Sequence, residues 1–191
     1  MARKITEDYE ELVQKAQYLF WINGYKSVTA EELAEHLDVS TSTIYNKYSK
    51  DNLFIDALEH YVNSCSDPVL TKIRESTTGM ESFREFFYML IDALIDKTFP
   101  RSCLMVNTVV ELRNENKRVT EVYDRYFGNM RESYIVVLKR AVALGEVKHA
   151  EKVEEYADFL LGVIFGLSIL YKIKSREELK LHVDAQLSLI K

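Results

Sequence analysis

The sequence predicts an all-α protein, and three observations carry that prediction. Turn-forming residues are scarce: the 191 residues include 6 Gly and 2 Pro, where average usage gives about 13 and about 10. A β-sandwich or barrel, with its frequent turns, is thereby excluded. Apolar residues recur at spacings of three and four along most of the chain, which is the helical period. Aromatic residues make up 12%, too many for a disordered chain.

The elements follow in order. Tyr9, Leu12, Val13, Ala16, Leu19, Phe20 and Trp21 form the apolar face of a first helix, from Thr6 to Asn23. Thr6 caps it, Glu7 and Asp8 suit its positive end, and Gly24 ends it in the left-handed conformation. Thr29-Ala-Glu-Glu32 is a capping box that starts a short helix over 30–37. Asp38-Val39-Ser40 is a turn, and Ser40 caps a second short helix over 41–47. Ser49 and Asp51 begin a longer helix reaching about 66, and amphipathic helices follow at 80–96, 104–114, 117–144, 150–173 and 176–190. Breaks fall at Pro68, Thr77–Gly79, Phe99–Ser102, Asn114–Asn116, Gly145 and Lys174–Ser175. The natural division is a small module, 1–50, and a helical body, 51–191.

Several classes of function are excluded at this level. The two cysteines, Cys65 and Cys103, form no C-x-x-C pair, and the four histidines have no i, i+4 partner. No metal site and no cofactor are therefore expected. There is no Gly-rich phosphate loop and no nucleophile elbow, so the protein does not read as an enzyme. The N-terminus lacks the apolar stretch of a signal peptide. The longest apolar run, Phe159 to Tyr171, is 13 residues, too short for a bilayer, and the cytoplasm is the expected compartment. Residues 1–60 hold 6 Lys+Arg against 11 Asp+Glu, whereas 61–191 hold 19 of each. That acidity runs against the basic face that nucleic acid usually meets.

Residues 24–53 are the most informative. Two short helices joined by three residues must cross closely, and Ala34 supplies the small side chain at the approach. Leu33, Leu37, Val39 and Ile44 face one miniature core with Phe20 from the first helix. Asp38 stands at the tight turn, where a positive φ is required and Asp tolerates it better than most residues. Thr41, Ser42, Thr43, Tyr45, Asn46 and Lys47 are left as small or polar groups on a presented helix that fits a major groove. From Phe20 and Gly24-Tyr25 through Thr29, Leu33-Ala34, Leu37, Val39-Ser40, Thr43-Ile44-Tyr45, Tyr48, Lys50 and Leu53, the segment resembles the signature of the TetR family of transcriptional repressors. Against that pattern, Asp38 replaces the usual Gly, Thr41 a common basic residue, Ser42 a frequent Gly or Ala, and the link from Tyr48 to Leu53 is one residue short.

The resemblance implies about nine helices: a three-helix DNA-binding module on a ligand-binding, dimerising body. It implies a homodimer on double-stranded, pseudo-palindromic operator DNA, released by a small apolar or aromatic effector. Thr29, Thr41, Ser42, Thr43, Tyr45, Asn46, Lys47 and Lys50 are the expected DNA contacts, with Arg3 and Lys4 as further local cations. A ligand-binding or scaffold protein that keeps the fold without binding an operator is the alternative, and the acidic module favours it.

The body offers three further sets of candidates. Phe86, Met89, Leu90, Met105, Asn107, Tyr123, Phe127 and Met130 are apolar and weakly polar residues at helical spacing, which reads as core for most of them; the resemblance adds the reading that they line an effector pocket. The helix from Ala157 to Leu170 is apolar on most sides, so part of its burial is expected from a second subunit. The resemblance implies a four-helix dimer interface from this helix and the last, with Gly162, Gly166, Ile169, Leu179, Val183 and Leu187 as contacts; the alternative is that Gly162 and Gly166 pack only against their own chain. Cys103, in Pro100-Arg-Ser-Cys-Leu-Met-Val-Asn107, is similar to a cysteine segment of electrophile-responsive TetR repressors. It is a candidate redox sensor at a helix N-terminus, with Arg101 beside it, and a buried structural residue otherwise.

Overall fold

A computed structural model describes residues 7–96, 100, 102–112 and 115–190. Those residues form helices and no strands: α1 (Glu7–Asn23), α2 (Ala30–His36), α3 (Thr41–Thr43), α4 (Lys50–Tyr61), α5 (Asp67–Glu75), α6 (Met80–Ile95), α7 (Leu104–Leu112), α8 (Lys117–Ala143), α9 (Val153–Leu170) and α10 (Arg176–Ser188). Two π-turns, Ile44–Tyr48 and Val62–Ser66, extend α3 and α4, and a 3-10 turn, Ala150–Lys152, precedes α9. The expected cap Thr6, the cations Arg3 and Lys4, and Arg101 lie outside the described residues.

Two differences from the sequence reading have local causes. Pro68, read as a break, stands instead in the first turn of α5, where its missing N–H has no helical partner to lose. The link from Tyr48 to Leu53 is short because Ser49 serves two helices. Its N–H reaches back five residues to the Ile44 carbonyl (2.6 Å), closing the π-turn. Its hydroxyl then accepts the Asn52 N–H (3.2 Å) as the cap of α4, at a φ of 59°.

Packing divides the chain into two compact units. The first comprises the chain up to Cys65 together with Leu104–Tyr123; the second comprises Ser66–Cys103 and Asp124–Lys191. Compactness thus draws its border elsewhere than the division expected at residue 50. The reason in the first unit is that α4 lies along α1: Phe20 and Phe54 meet edge to face at 5.0 Å, and Trp21 and Tyr61 do so at 5.0 Å. Leu33, Ile44, Leu53, Ala57 and Leu58 are fully buried around this contact.

In the second unit α10 packs on α6. Asp184 accepts from Arg84 (3.0 Å) and from the Tyr88 hydroxyl (2.7 Å), and Asp92 accepts from Arg176 (2.6 Å). Tyr134 of α8 sits fully buried, edge-on to Phe83 (5.3 Å) and Phe86 (5.8 Å). At the start of α6, the Met80 N–H donates to Glu146 (2.7 Å). Gly79 lies against the same place: a Cβ there would fall 2.0 Å from Glu146 Oε2 and 2.8 Å from the Ala141 Cα. Backbone on one side and a bonded carboxylate on the other leave no room. Gly79→Ala is expected to lower the unfolding free energy by about 1–3 kcal/mol, read by denaturant titration; an unchanged midpoint would show that α8 yields.

Candidate nucleic-acid interface

The module is a core with one polar edge. Phe20, Leu33, Ala34, Leu37 and Ile44 are buried together, as their spacing implied, while Val39 is half-buried. Asp38 adopts a φ of 54°, the left-handed turn expected of it. Beyond it the Ser40 hydroxyl accepts the Thr43 N–H (3.1 Å) and starts the recognition helix, residues 41–48. Ile44 and Tyr48 anchor the inner face, and Tyr48 stacks on Tyr9 at 5.3 Å. The outer face carries Ser42, Tyr45, Asn46 and Lys47, all exposed, with Tyr45 at 65%.

The eight expected DNA contacts are not equivalent in this geometry. Tyr45, Asn46 and Lys47 stand clear, and Lys47 lies 4.9 Å from the centre of the Tyr48 ring. Thr41 and Thr43 are half-buried. The hydroxyls of Ser42 and Thr43 both lie 2.8 Å from the Ser40 hydroxyl, so they share in capping their own helix. Thr29 completes the predicted capping box: its N–H donates to Glu32 (2.8 Å) and its hydroxyl accepts the Glu32 N–H (3.1 Å). A phosphate at that helix start would displace the Glu32 carboxylate. Lys50 is half-buried, with its ammonium 4.3 Å from the centre of the Tyr25 ring. Burial pulls its pKa below the usual lysine range, opposed by the carboxylates of Asp51, Glu111 and Glu32.

Tyr25 is the residue that sequence reasoning missed. It fills the space between the end of α1 and the start of α4, 6.3 Å from Phe20 and 4.7 Å from Phe54, and its hydroxyl donates to Asp51. Burial first, and then the Asp51 carboxylate, hold its phenol protonated well above the usual tyrosine range.

The body residues fall differently from expectation. Phe86 and Met130 are buried and Phe127 meets Phe165 at 5.1 Å, all in the second unit, whereas Met105, Asn107 and Tyr123 belong to the first. Leu90 is half-buried, and Met89 is 40% exposed and faces outward. A hollow of about 410 Å³ in the second unit is lined by Leu94, Ile95, Tyr171, Lys172, Lys174, Ser175 and Arg176, none of them an expected pocket residue. Among the expected dimer contacts, Leu179, Val183 and Leu187 are buried within their own chain and are core residues of α10. Periodicity located the apolar face correctly but not what covers it. Gly162 and Ile169 are exposed and Gly166 is half-exposed. A Cβ at either glycine would meet nothing within 4 Å.

Cys103 precedes α7, half-buried, with its Sγ 3.6 Å from the Tyr126 hydroxyl; Cys65 is exposed. This reverses the order of access expected if Cys103 is the readier thiol. Maleimide is expected to label Cys65 before Cys103 in the folded protein, followed by mass spectrometry of the peptides; faster labelling of Cys103 would contradict its placement here.

Comparison with known proteins agrees with this geometry. Residues 12–57 match the family described as bacterial regulatory proteins, tetR family, and residues 79–185 match the tetracyclin repressor-like, C-terminal domain. The chain belongs to the TetR family and is a DNA-binding regulator with a helix-turn-helix. It is 22% identical over its whole length, and over the whole of the relative, to the HTH-type transcriptional regulator YezE of Bacillus subtilis (strain 168). It is 23% identical to the HTH-type transcriptional repressor ComR of Escherichia coli (strain K12), over 85% of this chain and 78% of that one. A solved structure of a cysteine mutant of the TetR family regulator CifR, complexed with 26bp double-strand operator DNA, superposes with a TM-score of 0.83 at 25% identity, covering 98% of each chain. No helix among the described residues is long and apolar enough to cross a membrane.

Proposed function

We propose that the protein is a homodimeric repressor that binds a pseudo-palindromic operator through residues 41–48 of each protomer. In this reading a small apolar or aromatic effector releases it from DNA. The observation that carries the reading is the exposed Tyr45-Asn46-Lys47 edge on a helix whose other face is locked by Ile44 and Tyr48. Tyr45 and Lys47 meet phosphates, while Asn46 and Thr41 read base edges. None of the module's acidic residues lies on the edge itself: Glu31, Glu32 and Glu35 belong to α2 and Glu10 and Glu11 to α1.

A second subunit is supported by exposed apolar side chains. Phe159, Gly162, Gly166, Ile169 and Ile173 follow one another at alternating spacings of three and four, and Leu181 and Leu189 are exposed on or just beyond α10. Such a seam is what two helices bury against two others. The effector shifts the population between a state that fits two half-sites and one that does not, by no more than its differential affinity for them.

Two sets of measurements test this. A duplex is first selected by the full-length protein from a random-sequence pool. Tyr45→Ala and Lys47→Ala are expected to weaken binding to all duplexes and to flatten the salt dependence by about one unit per lost phosphate contact. Asn46→Ala is expected to change which sequences are preferred. Unchanged affinity and preference in all three variants would remove the assignment.

For the dimer, Gly162→Leu is expected to give a folded monomer at low micromolar concentration by light scattering. A Cβ there meets nothing within 4 Å in its own protomer, so the variant is expected to fold. A Gly162→Leu protein that remains dimeric would move the interface off α9.

A further inference from the structure

The α1–α2 loop is held by a carboxylate from outside the helix-turn-helix. Glu111, on α7, accepts the backbone N–H of Tyr25 at 2.9 Å and that of Lys26 at 2.6 Å. Gly24, with a φ of 80°, turns these successive N–H groups in one direction, which makes a small anion-binding concavity. The carboxylate lies close over the glycine: a Cβ at Gly24 would lie 2.9 Å from Glu111 Oε2 and displace it from its two N–H donors. Two further ties join the same segments. Lys26 Nζ reaches Glu115 at 2.7 Å, and Arg118 donates to Asn52, in the first turn of α4, at 2.7 Å.

We propose that Glu111 is a positioning residue for DNA recognition, a latch that fixes the helix-turn-helix on the segment 104–123. The proposal rests on the DNA-binding reading above and adds to it how the module is held. The path is short. Glu111 fixes the amide of Tyr25, whose ring packs on Phe20 and Phe54 and whose hydroxyl bonds Asp51. The segment 104–123 is continuous with the second unit at both ends, through Cys103–Leu104 and Tyr123–Asp124. Among the contacts within the first unit, the latch is therefore one that ties the DNA-reading helices to chain entering from and returning to the other unit. A dimer needs that tie, because two half-sites are read together only if each module is held in place. A single half-site needs only the module itself.

The test compares Glu111→Ala, Glu111→Gln and the control Glu121→Ala on two duplexes: the full site selected by the unmodified full-length protein, and one half-site. Amide exchange at Tyr25 and Lys26 is followed in the same proteins. Glu111→Ala is expected to weaken full-site binding by at least about tenfold, with half-site affinity changed by less than about twofold. Glu111→Gln keeps one carbonyl acceptor and is expected to fall between, and exchange at the two amides to quicken in the same order. Glu121→Ala removes only an exposed pair with Lys117, 3.8 Å away on α8, and is expected to change neither. Equal losses on full and half sites, or released amides with full-site affinity intact, would overturn the proposal. If Glu111→Ala does not fold, Glu111→Gln decides by the same criteria. If no duplex is selected, the DNA-binding reading fails on its own; the latch is then overturned by Tyr25 and Lys26 amides that do not respond to Glu111→Gln.

Discussion

The recognition helix cannot stand alone, and the burial of Phe20 is the constraint on which its presentation depends. Residues 41–48 make barely two turns, far below the length at which an isolated helix persists in water. Only Ile44 and Tyr48 tie it inward. What they tie it to is a core made by α1 and α4, with Phe20 edge-on to Phe54 and Leu33 and Leu53 closing the sides. The polar outer face contributes nothing to this stability, which leaves Tyr45, Asn46 and Lys47 free to be chosen for what they contact. A short helix on a rigid base is how precision is achieved with few residues.

That base is larger than the helix-turn-helix signature. α4 belongs to it by packing on α1, and the segment 104–123 belongs to it through Glu111, Glu115 and Arg118. Because this segment is covalently continuous with the second unit on both sides, the module is joined to the rest of the chain at three points rather than one. A regulator that responds to an effector needs such joints, since a ligand acts only through a structure whose alternatives it binds unequally.

Much of this was legible in the sequence, and the legible parts are local. The capping box at Thr29, the cap at Ser40, the left-handed Asp38 and the miniature core around Phe20 each depend on residues a few positions apart. Several helix starts followed from the same short-range signals. What escaped is either long-range or ambiguous in kind. Tyr25 and Glu111 are 86 positions apart, and neither carries a mark of its partner. Pro68 is as good a first-turn residue as it is a breaker, so α5 was invisible. On α10, Leu179, Val183 and Leu187 have the same periodicity whether their own chain or a second subunit covers them. Only the packing against α6 shows that it is their own.

α7 belongs to the DNA-reading unit. Native-state hydrogen exchange at increasing denaturant reads it directly, because residues of one cooperative unit open together. The amides of Phe20, Ile44, Phe54 and Val106 are expected to converge on one opening free energy, within about 0.5 kcal/mol. Those of Phe87 and Leu138, in the second unit, are expected to converge on another. Exchange in which Val106 follows Phe87 and Leu138 instead of Phe20 and Phe54 would contradict it.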